Sequence, residues 1–298
     1  MDQLTIAICT HNRANILKLT LPYLIDYWQD GVELLLIDNA STDNTKVVFE
    51  KMSIKNARYI YEPQIGLSIA RNRAIQEAQS NWIIFLDDDA KILPDTISKA
   101  IELTNKYSDY GMIGGVYTPW YIDEKPKWIP DSFGSNLPNF DEFRDSKSVD
   151  DILPTGNIML LNKQVIKIIG QFMENLGMKG ENIGYGEETD IAIKAINHNI
   201  KVGIEPNWRI EHLVASYKFK LSWQLNAIIE HGKADEKIEN SNILYRIFMF
   251  LKSILGLLIK KIPIDTYKLF RYINYKWQNF IFDSLKPTLY YWGRLNKK

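Results

Sequence analysis

Three apolar runs within the first ninety residues constrain the fold most strongly. They are "LTIAIC" (residues 4–9), "VELLLID" (residues 32–38) and "WIIFL" (residues 82–86). A strand with one face in water alternates apolar and polar residues, whereas a nearly continuous apolar run is typical of a strand covered on both faces. Helix-periodic segments separate the runs, among them "SIARNRAIQEAQ" (residues 68–79). The sequence therefore predicts a doubly wound α/β half-domain built on parallel strands.

Polar residues follow each of these predicted strands. The segments are "THNR" (residues 10–13), "DNAS" (residues 38–41) and "DDDA" (residues 87–90). Ligands of doubly wound sheets bind at the carboxyl ends of the strands, so these segments predict the site. Three adjacent carboxylates repel one another unless a cation, a hydrogen-bond donor or water compensates. From these residues alone, a metal site and a solvated acidic turn remain equally good interpretations.

The composition indicates a globular protein of a reducing compartment. The chain has 298 residues, of which 46% are hydrophobic, enough for a substantial core. Its single cysteine, Cys9, excludes an internal disulfide and is predicted to fill space in the core. The N-terminus enters a strand without a basic region and an apolar segment ahead of it, so no secretory signal is predicted. We therefore expect a cytoplasmic protein.

The neutral net charge conceals a strong asymmetry along the chain. Residues 241–298 contain eleven Lys or Arg and two Asp or Glu, a net charge of +9, so residues 1–240 carry −9. This division predicts an acidic catalytic domain over residues 1–240 and a basic, aromatic-rich helical extension over residues 241–298.

The extension has the composition of an amphipathic membrane-surface segment. "NILYRIFMFLKSILGLLIKKI" (residues 242–262) approaches the length of a membrane span, but Arg246 and Lys252 leave only apolar stretches too short to cross. "YKLFRYINYKWQNFIF" (residues 267–282) adds interleaved aromatic and basic residues. This pattern favours peripheral association with an anionic membrane at its inner face. Packing on the catalytic domain or on a dimer partner is an open alternative, and no nucleic-acid partner is expected because the segment is too apolar.

A series of motifs gives the sequence a family resemblance. Taken in order, the motifs are "ICTHNR", "LLIDNASTDNT", "GLSIARNRAI", "IIFLDDDA", "TGNIMLL", "GEETDIAIKA" and a later His. Over residues 3 to about 215 the series resembles the inverting family 2 glycosyltransferases of GT-A fold. The resemblance implies an α/β fold with a Rossmann-like nucleotide-binding half and a central mixed, mostly parallel sheet. The composition of residues 241–298 adds a C-terminal helical extension to this fold. It also implies metal-dependent, inverting transfer from a UDP-sugar to a hydroxyl of a glycan or lipid-linked acceptor, in surface polysaccharide or glycolipid biosynthesis.

The resemblance implies a metal site in the acidic segment "DDDA" (residues 87–90). "DDDA" looks like the DxD motif of the family, with Asp89 as ligand of Mn²⁺ or Mg²⁺, Asp88 as partner of the ribose or sugar, and Asp87 supporting the turn. Hard oxygen ligands suit either ion. His212 in "WRIEHL" occupies the place where many members of the family carry a further metal ligand.

Other residues are expected to bind the donor by the same resemblance. Asp38 would accept a hydrogen bond from the nucleobase, for which the N–H of uracil is the natural candidate, and an Asx turn at this position is compatible with that role. Further donor contacts are implied for Thr10, Asn12, Arg13, Gly66, Arg71 and Asn157. For Arg13, a solvated charge at the entry of a helix is an equally good interpretation. Among them Gly66 permits close approach of the backbone, Arg71 would contact the base or a phosphate, and Asn157 would contact the donor sugar.

The acidic start of "GEETDIAIKA" supplies the implied catalytic base. The family usually has an aspartate at the position of Glu188, so the longer side chain leaves open whether Glu188 or Glu187 takes the proton. Glu188 is preferred, with Asp190 as a supporting acceptor or helix cap. Acidic residues at a helix N-terminus are also favoured by the helix dipole without any catalytic role.

Two other functions are compatible with parts of the sequence. A nucleotidyltransferase would use a similar nucleotide-binding half and acidic metal site, but it leaves "GEETD" unexplained, and it would release pyrophosphate. A non-catalytic, membrane-tethered module that binds sugar nucleotides is disfavoured by the intact series of acidic motifs.

Overall fold

A computed structural model describes residues 4–297 of the chain. The chain divides into two compact units. The first contains the chain up to Trp120, Gly134–Gly180 and Glu187–Leu213. The second contains Tyr121–Phe133, Glu181–Gly186 and the chain from Val214 onward.

The first unit alternates strands and helices, as the sequence predicts. Its strands are β1 (Leu4–Thr10), β2 (Val32–Asn39), β3 (Ala57–Glu62), β4 (Trp82–Leu86), β5 (Ala90–Ile92), β6 (Tyr110–Trp120), β7 (Arg144–Ser146), β8 (Ile158–Asn162) and β9 (Lys201–Leu213). Its helices are α1 (Ala14–Asp26), α2 (Thr45–Glu50), α3 (Leu67–Glu77), α4 (Thr96–Lys106), α5 (Lys163–Ile169) and α6 (Glu187–Asn197).

Nine strands of the described chain form one mixed sheet. The path runs β3-β2-β1-β4-β8-β6-β9-β5, and β7 pairs with β9. The first four strands of this path are parallel, as predicted for a nucleotide-binding half, whereas β8 pairs antiparallel with both β4 and β6. Thr10 lies opposite Asp38, and Ala90 lies opposite His212. The register therefore places predicted site residues in adjacent pairs.

The hydrophobic core lies on both faces of the sheet. In β2, Leu34 and Leu36 pack in one hydrophobic cluster, and Leu35 and Ile37 pack in the other. This confirms the interpretation of the apolar runs as strands covered on both sides. Burial raises the pKa of the Cys9 thiol to about 12, which agrees with a space-filling role.

Two predicted boundaries in the first unit differ from the structure. Because proline lacks a backbone N–H, Pro22 is expected to kink or restart the first helix, yet α1 continues through Pro22 to Asp26. "GGVYTPWYIDEKPKWIPDSFGSNLPNF" (residues 114–140) reads as a loop rich in Pro, Gly and aromatic residues, yet β6 extends to Trp120. Pairing of β6 with β9 over Val116–Trp120 supplies the backbone hydrogen bonds that outweigh the composition.

The second unit is helical. It contains a 3₁₀ turn (Ser216–Phe219), α7 (Leu221–Glu239), α8 (Ile243–Gly256), a π-helical turn (Leu257–Lys261), α9 (Ile262–Arg271) and α10 (Trp277–Leu295). None of the helices within residues 4–297 is both long enough and apolar enough to cross a membrane.

Close packing of α7 on α10 accounts for a unit boundary that differs from the predicted one. A Cβ atom on Gly232 would lie 2.1 Å from the carbonyl oxygen of Tyr290, and one on Gly293 would lie 2.1 Å from that of Ile229. Nearby, Arg294 Nη2 donates to Glu236 Oε2 at 2.9 Å. Helix α7 thus belongs with the C-terminal helices, so the compact units part at Val214 and not between residues 240 and 241.

Candidate active site

The acidic turn "DDDA" joins β4 to β5 and is tied to the end of β1. Asp88 is buried and accepts hydrogen bonds from Thr10 Oγ1 at 2.6 Å and from Arg13 Nη1 at 2.5 Å. Thr20 on α1 donates to the Asp88 carbonyl at 2.8 Å. In this structure the Asp88 carboxylate therefore orders the turn through protein partners, and its predicted contact with ribose or sugar stays a prediction.

Asp89 and His212 meet across the pairing of β5 with β9. His212 Nε2 lies 3.4 Å from Asp89 Oδ1, and the backbone N–H of Leu213 donates to the Asp89 carbonyl at 2.9 Å. Both side chains are mostly buried, and the His212 ring lies 5.3 Å from the Tyr117 ring. The fold therefore brings together two residues that are 123 positions apart in the sequence and that the resemblance implies as metal ligands.

Arg13 has a different environment from the nucleoside pocket that the resemblance implies. Its guanidinium lies 2.5 Å from Asp88 and 3.2 Å from Asp89, and it is partly exposed. A cationic side chain therefore already offsets part of the negative charge of the turn. The implied nucleoside contact of Arg13 stays a prediction.

Asp38 is buried at the end of β2 with donors on both carboxylate oxygens. The backbone N–H of Ser41 donates to Oδ1 at 2.9 Å, and the Tyr59 hydroxyl donates to Oδ2 in a short hydrogen bond. Burial and the Asp38 charge raise the pKa of Tyr59, so this hydroxyl remains protonated as a donor. The turn also contains Ala40 at φ 57°. The Asp38 side chain thus accepts from the backbone N–H three residues on and from Tyr59, and these bonds fix the direction of its carboxylate.

Asn12 and Gly66 shape the loops on either side of Asp38. Asn12 has φ 52° and accepts from the backbone N–H of Thr42 at 2.7 Å, which links the β1 and β2 ends. Gly66 has φ 154°, a backbone conformation that favours glycine, and its N–H donates to Asn39 Oδ1 at 2.7 Å. Both residues therefore order the loops around the expected nucleoside site.

Arg71 connects the acidic turn with the start of α6. Its Nη1 donates to Glu187 Oε1 at 2.7 Å and lies 3.8 Å from Glu188 Oε2, and its Nη2 lies 3.5 Å from Asp87 Oδ1. The guanidinium is buried over the rings of Phe85 and Phe172. Carboxylates thus surround the buried guanidinium in this structure. The implied contact of Arg71 with a base or phosphate stays a prediction.

Gly156 and Asn157 complete the connection on the side of β8. A Cβ atom at Gly156 would lie 2.2 Å from Arg71 Nη2, so only glycine leaves room for the guanidinium. The Gly156 N–H lies 3.5 Å from Glu188 Oε1, and the Asn157 carbonyl accepts from the Asp87 N–H at 3.3 Å. The contact of Asn157 with a donor sugar stays a prediction.

The three acidic residues of α6 have distinct environments. Glu187 is buried against Arg71, Asp190 is buried with Lys194 Nζ at 2.6 Å, and Glu188 is the most exposed of the three. Burial raises the pKa of Glu187 well above its ordinary value, and the Glu188 charge adds to the rise while Arg71 opposes it. Glu187 and Asp190 are therefore held by protein cations, and Glu188 is the residue open to a ligand.

The electrostatics of the acidic turn favour a bound cation. Asp87 is 32% exposed at its side chain, yet desolvation, together with Asp89 and Asp88, raises its pKa to about 6 against the opposing Arg71 charge. Burial also raises the pKa of Asp88, and Arg13 opposes that rise. Mutual repulsion of these carboxylates is the cost that a divalent ion would remove.

Asp89 and His212 suit a metal ion whose remaining ligands come from the substrate and from water. Among the residues that the structure describes, no group of three or more His, Cys, Asp or Glu surrounds a shared metal position. Mg²⁺ typically uses one or two carboxylates plus substrate phosphates and waters. The buried Nδ1 of His212 has no hydrogen-bond partner within residues 4–297, so the ring is positioned by packing. The pair therefore suits a metal that binds together with a diphosphate.

Two contributors to the site carry no recognisable signal in the sequence. Tyr59 reaches Asp38 from β3, and Thr20 reaches the acidic turn from the middle of α1. Neither stands at the end of a strand, where a polar residue would suggest a binding site. Only the packing of neighbouring elements reveals their roles.

The structure has the GT-A fold. The structure is similar to the mannosyltransferase PcManGT from Pyrobaculum calidifontis in complex with GDP-Man and Mn²⁺, with a TM-score of 0.59 and 16% identity over 80% of this chain and 65% of that chain. It is also similar to GalNAc-T7 with UDP, GalNAc and Mn²⁺, with a TM-score of 0.55 and 15% identity over 76% of this chain and 47% of that one. These similarities confirm the predicted fold class.

The sequence match identifies the family. Residues 5–168, more than half of the chain, match the family described as Glycosyl transferase family 2. The chain belongs to glycosyltransferase family 2, which confirms the predicted family and enzyme class.

Curated relatives of the chain include proteins of polysaccharide and glycolipid synthesis. It is 22% identical to a glucosyl-dolichyl phosphate glucuronosyltransferase of Haloferax volcanii over 53% of this chain and 51% of the relative. It is 21% identical to the succinoglycan biosynthesis protein ExoM of Rhizobium meliloti over 78% of this chain and 74% of the relative. The chain thus spans about half the length of the first of these relatives.

Proposed function

We propose that the protein transfers a sugar from a UDP-sugar to a hydroxyl of a glycan or lipid-linked acceptor, with inversion and with Mn²⁺ or Mg²⁺ as cofactor. The observation that carries the proposal is the Arg71 connection between Asp87 of the acidic turn and Glu187 and Glu188 of α6. It joins the expected donor side to the expected acceptor side within the first unit. One site would thereby supply both halves of a transfer reaction.

The donor would bind along the carboxyl ends of β1, β2 and β4. Asp38 is buried with its carboxylate direction fixed by Tyr59 and Ser41, and it retains acceptor capacity for a nucleobase N–H. Asp89 and His212 would hold the metal, which when bound neutralises charge developing on the departing diphosphate. Guanine also presents N–H groups, so a GDP-sugar is the donor with which the UDP-sugar must be compared.

Glu188 would act as the general base. It would remove the proton of the acceptor hydroxyl as that oxygen bonds to the anomeric carbon and the bond from this carbon to the phosphate oxygen breaks. Glu187 is less suited to this role because its carboxylate is buried and paired with Arg71 at 2.7 Å. Asp190 is paired with Lys194 and would support the helix start. A single displacement of this kind inverts the anomeric centre.

The proposed setting is surface polysaccharide or glycolipid synthesis at the inner face of a membrane. Support comes from relatives whose names include a dolichyl phosphate acceptor and succinoglycan biosynthesis. An acceptor of this kind would be delivered at a membrane surface, which agrees with the basic, apolar composition of residues 241–298.

A donor screen tests the proposal. The full-length protein is incubated with UDP- and GDP-sugars in Mn²⁺, in Mg²⁺ or in EDTA, and released nucleoside diphosphate is measured. We expect metal-dependent release of UDP from one UDP-sugar, and the Asp89→Asn variant serves as the matched control. Selective release of GDP would overturn the uridine assignment. Sugar transfer would be overturned if no sugar nucleotide released its nucleoside diphosphate while UTP and a sugar 1-phosphate yielded pyrophosphate. The anomeric configuration of the product, read by NMR, tests inversion.

A further inference from the structure

Exposed apolar side chains are concentrated in one part of the second unit. More than half of the large hydrophobic side chains that are exposed in the described chain lie between Ile243 and Trp277. Helix α8 has no fully buried residue among those described. Such a concentration is unusual for a soluble protein, in which exposed apolar residues are normally scattered.

One side of α8 packs on α10. The rings of Phe250 and Trp292 lie 5.5 Å apart, and Thr288 Oγ1 donates to the Ser253 carbonyl at 3.4 Å. Arg246 Nη1 donates to the Arg294 carbonyl at 3.3 Å. These contacts fix which side of α8 faces protein, and they leave the opposite side to the surroundings.

The opposite side of α8, continued by the π-helical turn that follows it, is apolar. We call the following residues the apolar face: Leu244, Phe248, Leu251, Leu255, Leu258 and Ile259. Their spacings of three and four residues place them along one stripe of the helix. Exposure is 72% at Leu244 and 69% at Ile259, and it reaches 86% at Phe270 near the end of α9 and 88% at Ile273 beyond it. The fold therefore presents the apolar face outward rather than using it as core.

Residues 241–298 carry several exposed cations, and both of their carboxylates have partners within the protein. The exposed cations include Lys252, Lys260 and Arg271. Of the two acidic residues in the segment, Asp265 is buried between Lys261 and Lys268 at 3.1 and 2.9 Å, and Asp283 accepts from the Tyr275 hydroxyl at 2.9 Å. The surface of this segment is thus strongly positive.

We infer that the apolar face lies in the plane of an anionic lipid bilayer, with Leu and Phe side chains at the acyl boundary and the exposed cations at the headgroups. Apolar burial and attraction to anionic lipids act together on a helix of this composition. A second copy of the chain is a weaker candidate, because two identical positive faces offer each other no anions. This membrane contact does not depend on the proposed sugar transfer.

Flotation of the full-length protein with vesicles tests the inference without any donor or acceptor. Vesicles of phosphatidylglycerol and phosphatidylcholine are compared with vesicles of phosphatidylcholine alone. We expect the protein to float with the anionic vesicles, and high salt to weaken this binding only in part, because burial of apolar side chains is not screened. Two double variants probe the two contributions: Leu251→Ser with Leu255→Ser, and Lys252→Glu with Lys260→Glu.

Each double variant should bind anionic vesicles at least about tenfold more weakly than the parent protein. Matched controls change residues of similar exposure in the first unit: Val149→Ser with Ile168→Ser, and Lys51→Glu with Lys167→Glu. Neither control should alter binding. Thermal unfolding of every variant should match the parent, because all of these side chains are exposed in the structure.

Three outcomes would overturn the inference. The first is failure of the full-length protein to float with anionic vesicles. The second is an equal loss of binding in the control variants. The third is a dimer, detected by sedimentation velocity and abolished by the Leu251→Ser and Leu255→Ser changes, in a protein that does not bind vesicles. In that last case the apolar face joins two copies of the chain.

Discussion

Arg71 Nη1 lies 2.7 Å from Glu187 Oε1, and both side chains are buried. The same guanidinium faces Glu188 on α6 and Asp87 in the acidic turn, so one cation on α3 holds together segments that are separated by a hundred residues of sequence. A planar guanidinium suits this task, because its donors lie in a fixed fork and an ammonium offers no such geometry. We therefore regard Arg71 as a positioning residue for Glu188.

Breaking the Arg71 pair should destabilise the first unit. We expect Arg71→Met to lower the free energy of unfolding by about 3–5 kcal/mol, because it leaves Glu187 buried without a counter-charge. Adding Glu187→Leu should recover part of this loss, since the uncompensated carboxylate is then removed. Urea unfolding of both single variants and the double variant measures the coupling. Additive losses would contradict a direct interaction.

A methyl group at Gly156 should disturb the same cation. A Cβ atom there would lie 2.2 Å from Arg71 Nη2, so Gly156→Ala forces the guanidinium to shift away from Glu188. We expect turnover to fall by at least about tenfold, since misplacement by 1 Å is costly in an active site. The matched control is Gly256→Ala, because a Cβ atom at Gly256 has no described atom within 4 Å. Equal activity of the two variants would show that the contact has no catalytic importance.

The sequence predicts those parts of the site that follow strand ends. Asp38 ends one apolar run, and Asp88 and Asp89 stand two and three residues after another. The parallel arrangement of β1, β2 and β4 brings the ends of these strands together. The partners of these residues are less predictable. The bond from Tyr59 to Asp38 and the approach of Gly156 to Arg71 depend on tertiary packing, which has no period along the chain.

The boundary between the two compact units also depends on tertiary packing that the sequence pattern does not show. The charge change near residue 240 is real, but it does not mark the end of a compact unit. Helix α7 packs on α10 because Gly232 and Gly293 allow their backbones to approach closely, and single glycines in a helical pattern give no warning of this.

Glu188→Gln should separate chemistry from binding. The amide retains the size of the side chain but does not accept the acceptor proton, so turnover should fall by at least about a hundredfold. Donor affinity should be unchanged, because no donor contact is assigned to Glu188. Isothermal calorimetry with UDP and Mn²⁺, together with steady-state kinetics, measures the two effects. Turnover at the level of the parent protein would move the base to Glu187 or Asp190.

Asp89→Ala should abolish metal-dependent donor binding and leave the fold intact. Calorimetry that shows unchanged UDP affinity in Mn²⁺ would refute the metal assignment of Asp89.

Arg13→Ala provides a complementary measurement at the acidic turn. The change removes the cation at 2.5 Å from Asp88 and 3.2 Å from Asp89, so the variant should unfold at a lower temperature without metal. Mn²⁺ with UDP should raise the thermal unfolding midpoint of the variant more than that of the parent protein. Equal rises in the two midpoints would indicate that Arg13 does not compensate the negative charge of Asp88 and Asp89.

Glu236 should make the stability of the second unit depend on pH. Burial raises its pKa, but hydrogen bonds from Ser241 and Arg294 outweigh this effect and hold the pKa of Glu236 below its usual range. A carboxylate with a lowered folded pKa contributes stability that is fully present above its unfolded pKa, about 4.3, and is lost as the pH falls through the folded pKa.

The Glu236→Gln variant isolates this contribution. At neutral pH it should unfold at lower urea than the parent protein, and the difference should shrink as the pH falls below about 4, where the parent carboxylate also becomes protonated. Glu230→Gln is the control, because the pair of Glu230 with Lys233 lies nearer the surface and is worth little. A difference between Glu236→Gln and the parent that stays constant from neutral to acid pH would show that the charge of Glu236 does not stabilise the contact of α7 with α10.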